Sequence, residues 1–312
     1  MKKPIVHSFQ YLSLVRYKGL KSVLKNYENY EISIILDLED SAQDLFDQKK
    51  TSQLKKIARD GLIFLSKQKL KIKNSLFLRI NKIDTMEFEK DLIAIKKAIV
   101  NGMKINGIFL PKVENFFEIE SVYKKINSEN LKIVPIIESV DGVKNLISII
   151  EKDKNKIISF IHYGHFDYCL NSNLWPFPEP YHLEFWNIID KIIKTCVTKE
   201  INFIQTPFPL IQNHDLYWSM VKHLADKYNL DNIYSSLVNY DKRFIVPPKI
   251  IKILRIKKIS NNTSHKIIFA EKIINEYIKN KSSKKSFSLS NKRFIAPHQY
   301  LMAKKYFDKH NK

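Results

Sequence analysis

A (β/α)8 TIM barrel with a C-terminal helical extension is the fold class this sequence predicts, on three observations. Short apolar runs of strand character alternate with longer helical patterns along 312 residues, the signature of repeated βα units and a parallel sheet. Four of these runs end in polar or charged residues: Ile34-Ile35-Leu36-Asp37-Leu38-Glu39-Asp40, Phe77-Leu78-Arg79-Ile80-Asn81, Ile136-Ile137-Glu138-Ser139 and Ile161-His162-Tyr163-Gly164-His165-Phe166-Asp167. Barrel enzymes carry their chemistry at the C-terminal ends of buried parallel strands. The first strand is not followed by a Gly-x-Gly-x-x-Gly turn, which makes an open doubly wound sheet the poorer solution.

In chain order, strands are expected over 7–14, 33–38, 76–81, 107–110, 132–138, 157–163, 203–205 and 243–246. Helices are expected over 51–67, 88–101, 115–127, 142–152, 182–199 and 215–228. Within 88–101, Leu92, Ile95, Ile99 and Val100 recur at helical spacing and predict one buried stripe. The barrel domain is read as 1–259 and the extension as 260–312. In the extension a helix over 267–281 precedes a Ser/Lys stretch of loop character over 281–290, a short apolar run at Phe294-Ile295 and a further helix. Such an appendix suits packing on a neighbouring subunit or closing over a site.

Bulk properties narrow the function classes. A hydrophobic content of 44% is that of a soluble globular protein, and no stretch reaches the roughly 18 apolar residues of a membrane span. No secretory signal is read at the N-terminus. Cys169 and Cys196 are the only thiols, so a disulfide framework is not expected and a reducing cytoplasm is the default. The formal net charge of +21 invites a nucleic-acid reading. The lysines, however, are dispersed, and no zinc-ligand spacing, RNA-recognition signature or sustained basic helix accompanies them.

Glu138 and Asp167 are the candidate metal ligands, since Mg²⁺ takes one or two carboxylates and completes its octahedron with water and substrate oxygens. A structural ion pair is the competing reading, because a buried carboxylate must be paired. Arg79 can hold a substrate carboxylate by a bidentate fork or pair with the acids of 37–40. Asp37 and Glu39 fall on one side of the strand end, where they can orient Arg79 and metal-bound water. Asp40 is a candidate for proton transfer, with helix capping by Asp40 or Ser41 as the alternative. His165, in the loop, is a candidate substrate contact, and His162 is read as a packed histidine. Lys112 is a candidate substrate or phosphate contact. A Schiff-base role for it is disfavoured by the pairing of Glu138 with Asp167.

These patterns, in their order, resemble the citrate lyase β-subunit-like proteins of the HpcH/HpaI aldolase superfamily. The matching stretches are Leu36–Ser41, Leu78–Asn81, Gly107–Glu114, Pro135–Gly142 and Tyr163–Tyr168, with Tyr240–Pro248 similar to the family's segment leading into its eighth strand. The resemblance implies a modified TIM barrel, a homo-oligomer (trimer or hexamer) and Mg²⁺-dependent (or Mn²⁺-dependent) making or breaking of a carbon–carbon bond. The implied substrates are 2-oxo or 3-hydroxy acids and their CoA thioesters. By the same resemblance Glu138 and Asp167 are metal ligands, Arg79 binds the substrate, and Asp37 and Asp40 form the acidic cluster near the metal waters.

Three departures point to an atypical member with an altered substrate, or to a barrel that has become a binding or regulatory subunit. The family's Ile-His-Pro is Val246-Pro247-Pro248 here. The aspartate of the CoA-thioester lyases' C-terminal segment has no counterpart in Arg293-Phe294-Ile295-Ala296-Pro297-His298. Glu-Thr-Ala-Arg-Gly becomes Glu138-Ser139-Val140-Asp141-Gly142.

Overall fold

Eight parallel strands close on themselves in chain order in a computed structural model that describes residues 4–44, 46–68, 73–128, 131–238, 241–281 and 295–311. They are β1 (Ile5–Ser13), β2 (Ile32–Asp37), β3 (Leu76–Arg79), β4 (Gly107–Leu110), β5 (Lys132–Ile137), β6 (Phe160–Tyr163), β7 (Asn202–Gln205) and β8 (Asn232–Leu237). The helices between them are α1 (Tyr17–Tyr27), α2 (Gln48–Lys67), α3 (Met86–Val100), α4 (Phe116–Ile126), α5 (Val140–Lys152), α6 (His165–Asn171), α7 (Leu183–Thr198) and α8 (His214–Tyr228). Two more follow the barrel, α9 (Thr263–Lys281) and α10 (Pro297–His310). No helix among the described residues is long and apolar enough to cross a membrane.

Both faces of the strands are buried, as a parallel sheet under helices requires. One set of side chains fills the barrel: Phe9, Ile35, Phe77, Phe109, Val134, Ile136 and Ile204, with Phe77 and Phe109 edge to face at 5.6 Å. The opposite set, including Ile34, Leu36, Leu78 and Ile137, joins the helix faces in the main core. Polar side chains start the helices. Asp47 accepts from Lys50 N, Thr85 from Phe88 N and Ser139 from Gly142 N, while Asn115 and Glu118 form a reciprocal capping box.

Two expectations are corrected. The eighth strand is Asn232–Leu237, and residues 243–244 of the expected strand belong to a 3₁₀ turn after it (Lys242–Phe244). In β8, Ser235 and Ser236 are both buried, so two core positions carry hydroxyls and hide the strand's apolar pattern. Of the described part of the Tyr240–Pro248 stretch, all follows the eighth strand instead of leading into it; Tyr240 lies outside the described residues. On α3 the buried stripe is Phe88, Leu92, Ile95 and Ala98, and Val100 is 86% exposed. Ile99 lies half-buried at the edge of that stripe, and Val100, one position further round the helix, falls on the solvent side. The helices α1 and α6 were not expected from sequence. Lys281 of the Ser/Lys stretch ends α9, and the rest of that stretch and Phe294 lie outside the described residues.

The extension packs on its own barrel. Ala270, Ile273 and Tyr277 of α9 and Tyr300, Met302 and Ala303 of α10 form a second core with Cys169 of α6, Trp175 and Phe177. Tyr277 and Tyr300 stack at 4.4 Å, and Phe46, from the loop before α2, meets both rings. The positions 299, 300, 302 and 303 make one helical face, and its burial fixes the direction in which the first turn of α10 points.

His162 stands inside the barrel, edge-on to Tyr11 and Phe109, with Nε2 at 3.1 Å from Ser236 Oγ. Burial, reinforced by the positive charge of Arg79, pulls its pKa down to about 3. The unfolded chain takes up this proton at about pH 6.5 and the folded chain does not, so stability is lost as pH falls below that point, by about 2 kcal/mol between pH 6.5 and 5. The gap in urea-unfolding free energy between wild type and His162→Asn is expected to shrink by that amount from pH 7.5 to pH 5. A constant gap would show that His162 titrates normally.

Candidate active site at the C-terminal mouth of the barrel

The last residues of β2 and β3 are register partners, Asp37 opposite Arg79, and this pairing sets the site. Arg79 donates from Nε to Asp37 Oδ1 and from Nη2 to Asp37 Oδ2, both at 2.7 Å. Its Nη1 donates to Asp40 Oδ2 at 2.7 Å and lies 3.3 Å from Glu39 Oε2. The guanidinium also sits over the Tyr11 ring, 4.7 Å from its centre. Asp37 accepts in addition from the backbone N–H groups of Glu39 and Ser41. Burial would raise its pKa, yet Arg79 and these donors hold it below the usual carboxylate range. The structural salt bridge weighed for Arg79 is therefore formed, and a substrate would meet only the guanidinium hydrogens left over by Asp37 and Asp40. Asp40 starts a 3₁₀ turn (Asp40–Ala42), and the cap of α2 is Asp47.

Glu138 follows β5 and is buried. Its Oε1 accepts from Lys112 N at 2.8 Å, and that contact holds Lys112 at a φ of 57°, in the left-handed region. On the other side Glu138 lies against Gly164. A Cβ on that glycine would come 2.2 Å from Glu138 Oε2 and 2.7 Å from Glu138 Cβ, so only glycine lets β6 pass this carboxylate. Asp167, in the first turn of α6, has Lys112 Nζ at 3.4 Å from Oδ1 and His298 Nε2 at 3.2 Å from Oδ2. The mouth thus gathers Asp37, Glu39, Asp40, Arg79, Lys112, Glu138, Asp167 and His298.

Acids outnumber cations here, and the proton affinities record it. Burial, then the neighbouring Asp40, pushes Glu39 up to about 8. Burial, then Asp167 and Glu39, raises Glu138 well above an ordinary carboxyl. Burial would raise Asp167 as well, but His298 and Lys112 hold it at about 2. Burial works against the charge on Lys112, yet the surrounding carboxylates raise its pKa. An ammonium so stabilised is the opposite of the free amine a Schiff base needs. Among the described residues no group of three or more side chains forms a ready metal cage. A Mg²⁺ ion does not require one, because two carboxylates plus water and substrate oxygens suffice. Glu138, pushed toward its neutral form when no cation is near, and the ionised Asp167 beside it are a donor set that fits such an ion.

The candidate residues behave differently from one another. Asp37, Asp40, Arg79, Lys112, Glu138 and Asp167 are brought together. His165 is buried with both ring nitrogens engaged inside the protein, Nε2 at 2.7 Å from Pro178 O and Nδ1 at 3.0 Å from Tyr163 OH. Burial pulls its pKa to about 4. His298, Tyr11 and Gly164 were missed. The glycine at a strand end was the available signal for Gly164. No local signal marks His298, which reaches the mouth through the packing of α10.

A parallel (β/α)8 barrel with a buried, carboxylate-rich C-terminal mouth is the class these observations define. The chain belongs to the HpcH/HpaI aldolase/citrate lyase family, whose model matches residues 24–226. It is similar in structure to RipC from Yersinia pestis (TM-score 0.55, 18% identity, 80% of this chain and 98% of that one). It is also similar to the Mycobacterium tuberculosis citrate lyase β subunit complexed with oxaloacetate and magnesium (TM-score 0.55, 14% identity, 74% and 91%). The CitE protein of the same organism in complex with magnesium, acetoacetate and coenzyme A matches at TM-score 0.55 and 13% identity over 98% of both chains. At these identities the likeness is one of fold. No curated protein sequence matches the chain.

Two substitutions probe the geometry. Gly164→Ala is expected to displace Glu138, lowering stability by about 1–3 kcal/mol in urea unfolding and weakening divalent-cation binding in calorimetry; wild-type values for both would refute the close approach. Arg79→Met leaves Asp37 and Asp40 without their shared cation and is expected to destabilise by about 3–5 kcal/mol, read from the denaturant midpoint.

Proposed function

We propose that this chain is a Mg²⁺-dependent carbon–carbon lyase or aldolase acting on a 2-oxo acid or a related hydroxy acid or CoA thioester. The observation that carries the reading is the convergence of Glu138 and Asp167 in a buried mouth beside Arg79 and Lys112. Family membership supports it, as do similar structures holding magnesium with pyruvate, oxaloacetate or acetoacetate and coenzyme A.

In this reading Glu138 and Asp167 hold the metal, with Mn²⁺ as a substitute. Bound there, the ion supplies positive charge opposite the oxyanion that develops as the carbon–carbon bond breaks. Arg79, steadied by Asp37, directs its remaining hydrogens at the acid's oxygens. Lys112 adds a fixed positive charge beside Asp167, and Asp40, 28% exposed, is placed to move a proton at the open side of the mouth. His165 braces the first turn of α6 and thereby Asp167. The barrel (1–259) and the extension (260–312) act as one functional unit, in a cytoplasmic homo-oligomer. Two free, buried cysteines suit a reducing compartment.

A binding barrel without catalysis is the second reading, favoured by how fully Asp37 and Asp40 occupy Arg79. Calorimetry with pyruvate and oxaloacetate, with and without Mg²⁺, tests the first. Binding that needs Mg²⁺ and is lost in Glu138→Gln and Asp167→Asn is expected. No heat from a folded protein would overturn it. Because an ion held by Glu138 displaces to solvent the proton that Glu138 keeps, and disfavours the one on neighbouring Glu39, Mg²⁺ affinity is expected to rise from pH 6 to pH 8, by up to about tenfold per pH unit for each proton displaced. A flat profile would place the ion elsewhere.

A further inference from the structure

We propose that the strap after β8, residues 245–259, is a docking surface for an anionic lipid bilayer. Its exposed isoleucines enter the boundary between headgroups and acyl chains, and its lysines and arginine meet lipid phosphates. The proposal stands apart from the catalytic reading above.

Three observations carry it. The first is a gathering of exposed apolar side chains in one short stretch. Ile250 and Ile253 are each 83% exposed, and Val246 is 59% exposed. Met86, Val100 and Phe117 are comparably bare, but the first two lie at opposite ends of α3 and the third on α4. Single exposed apolar residues are ordinary on a protein surface, whereas a group of them marks an interaction site.

The second is charge. Lys249, Lys252, Arg255, Lys257 and Lys258 are interleaved with these residues, and no Asp or Glu occurs between residues 242 and 270. All five cations are exposed. Lys252 lies 2.5 Å from Asp215 and Lys257 stands over the Tyr181 ring. Lys249, Arg255 and Lys258 have no carboxylate partner among the described residues.

The third is the backbone. From 249 to 256 the chain forms neither helix nor strand, and among the described residues none of its N–H groups donates a hydrogen bond. The strap is nonetheless tethered. Val246 N donates to Lys242 O before it, Leu254 is buried in its middle, and Lys257 exchanges backbone hydrogen bonds with Tyr181 and Leu183 at its end. It therefore runs along the rim of the mouth, from the end of β8 past the first turn of α8 to the start of α7.

These features select the partner. Aliphatic side chains interleaved with Lys and Arg suit a bilayer surface, where apolar burial and attraction to anionic lipid add. The lysine stems can lie with the isoleucines while their ammonium groups reach the phosphates. A second copy of the chain meeting strap to strap would set cations against cations with no acid to receive them. A nucleic acid would pair with the charges and leave the isoleucines in water, since residues 245–259 hold no aromatic ring on which a base could stack.

Co-sedimentation of the full chain with vesicles is the test, using phosphatidylcholine alone or mixed with phosphatidylglycerol in about equal parts, with thermal melts as a folding check. At low salt the wild type is expected to bind the mixed vesicles at least about tenfold more tightly than the neutral ones. The double variant Ile250→Asn/Ile253→Asn is expected to bind the mixed vesicles about tenfold more weakly than wild type. Lys249→Gln/Arg255→Gln is expected to lose most of the preference for phosphatidylglycerol. No vesicle binding by wild type would overturn the proposal. So would binding that the isoleucine pair leaves unchanged, since that is the attraction of a chain of net charge +21 as a whole. Wild type that binds mixed-sequence duplex DNA through Lys249 and Arg255 but no vesicle would overturn it in favour of nucleic acid. A smaller assembly of Ile250→Asn/Ile253→Asn than of wild type in analytical ultracentrifugation would overturn it in favour of a contact between copies. Should the variants fail to fold, hydrogen exchange of the wild type decides the point. Slower exchange of the amides of 249–256 with mixed vesicles and not with neutral ones supports the proposal, and unchanged exchange refutes it.

Discussion

Everything at the mouth of this barrel depends on the guanidinium of Arg79 lying between Asp37 and Asp40. Three of the acids grouped there, Asp37, Glu39 and Asp40, come from the four consecutive residues that begin with the last of β2, and without a cation among them they would repel one another in a buried setting. Arg79 neutralises Asp37 and Asp40 from the adjacent strand, and the parallel register of β2 with β3 is what brings it there. Its bidentate hold on Asp37 also takes up the edge of the guanidinium best shaped to grip a substrate. The same contact that lets the acidic turn fold thus limits how Arg79 can bind anything else.

The other half of the mouth has no comparable internal solution. Lys112 stands beside Asp167, but Glu138 and Glu39 are left to hold protons. An excess of buried acid over cation is poor design for stability alone and good design for a divalent ion that replaces the protons. Gly164 and the left-handed backbone at Lys112 belong to the same arrangement, since both let the Glu138 carboxylate sit closer to neighbouring chain than an ordinary residue would permit.

The extension changes the meaning of the site. An apolar core shared by α6, α9 and α10 ties the end of the chain to the helix that carries Asp167, so the position of a candidate metal ligand and the packing of the last helix are coupled. His298 occupies the mouth from the same chain, in a segment where the sequence offers no carboxylate.

Much of this is legible in the sequence. Strands β2 to β6 announce themselves because a buried parallel strand is apolar on both faces and ends abruptly in charge. That rule marks Asp37, Arg79, Glu138 and Asp167 as residues at one end of one sheet. It failed at β8, where Ser235 and Ser236 occupy buried positions, and the helical period likewise carried the buried stripe of α3 one residue too far, to the exposed Val100. The local sequence by itself determined the barrel and the inventory of charged strand ends, because hydrophobic period and strand length depend on near neighbours along the chain. Only the tertiary structure decided that Arg79 is held by its own acids, that both nitrogens of His165 are used internally, and that His298 faces Asp167. These outcomes turn on contacts such as the one between residues 167 and 298, far apart in sequence, which exist only once the helices have packed.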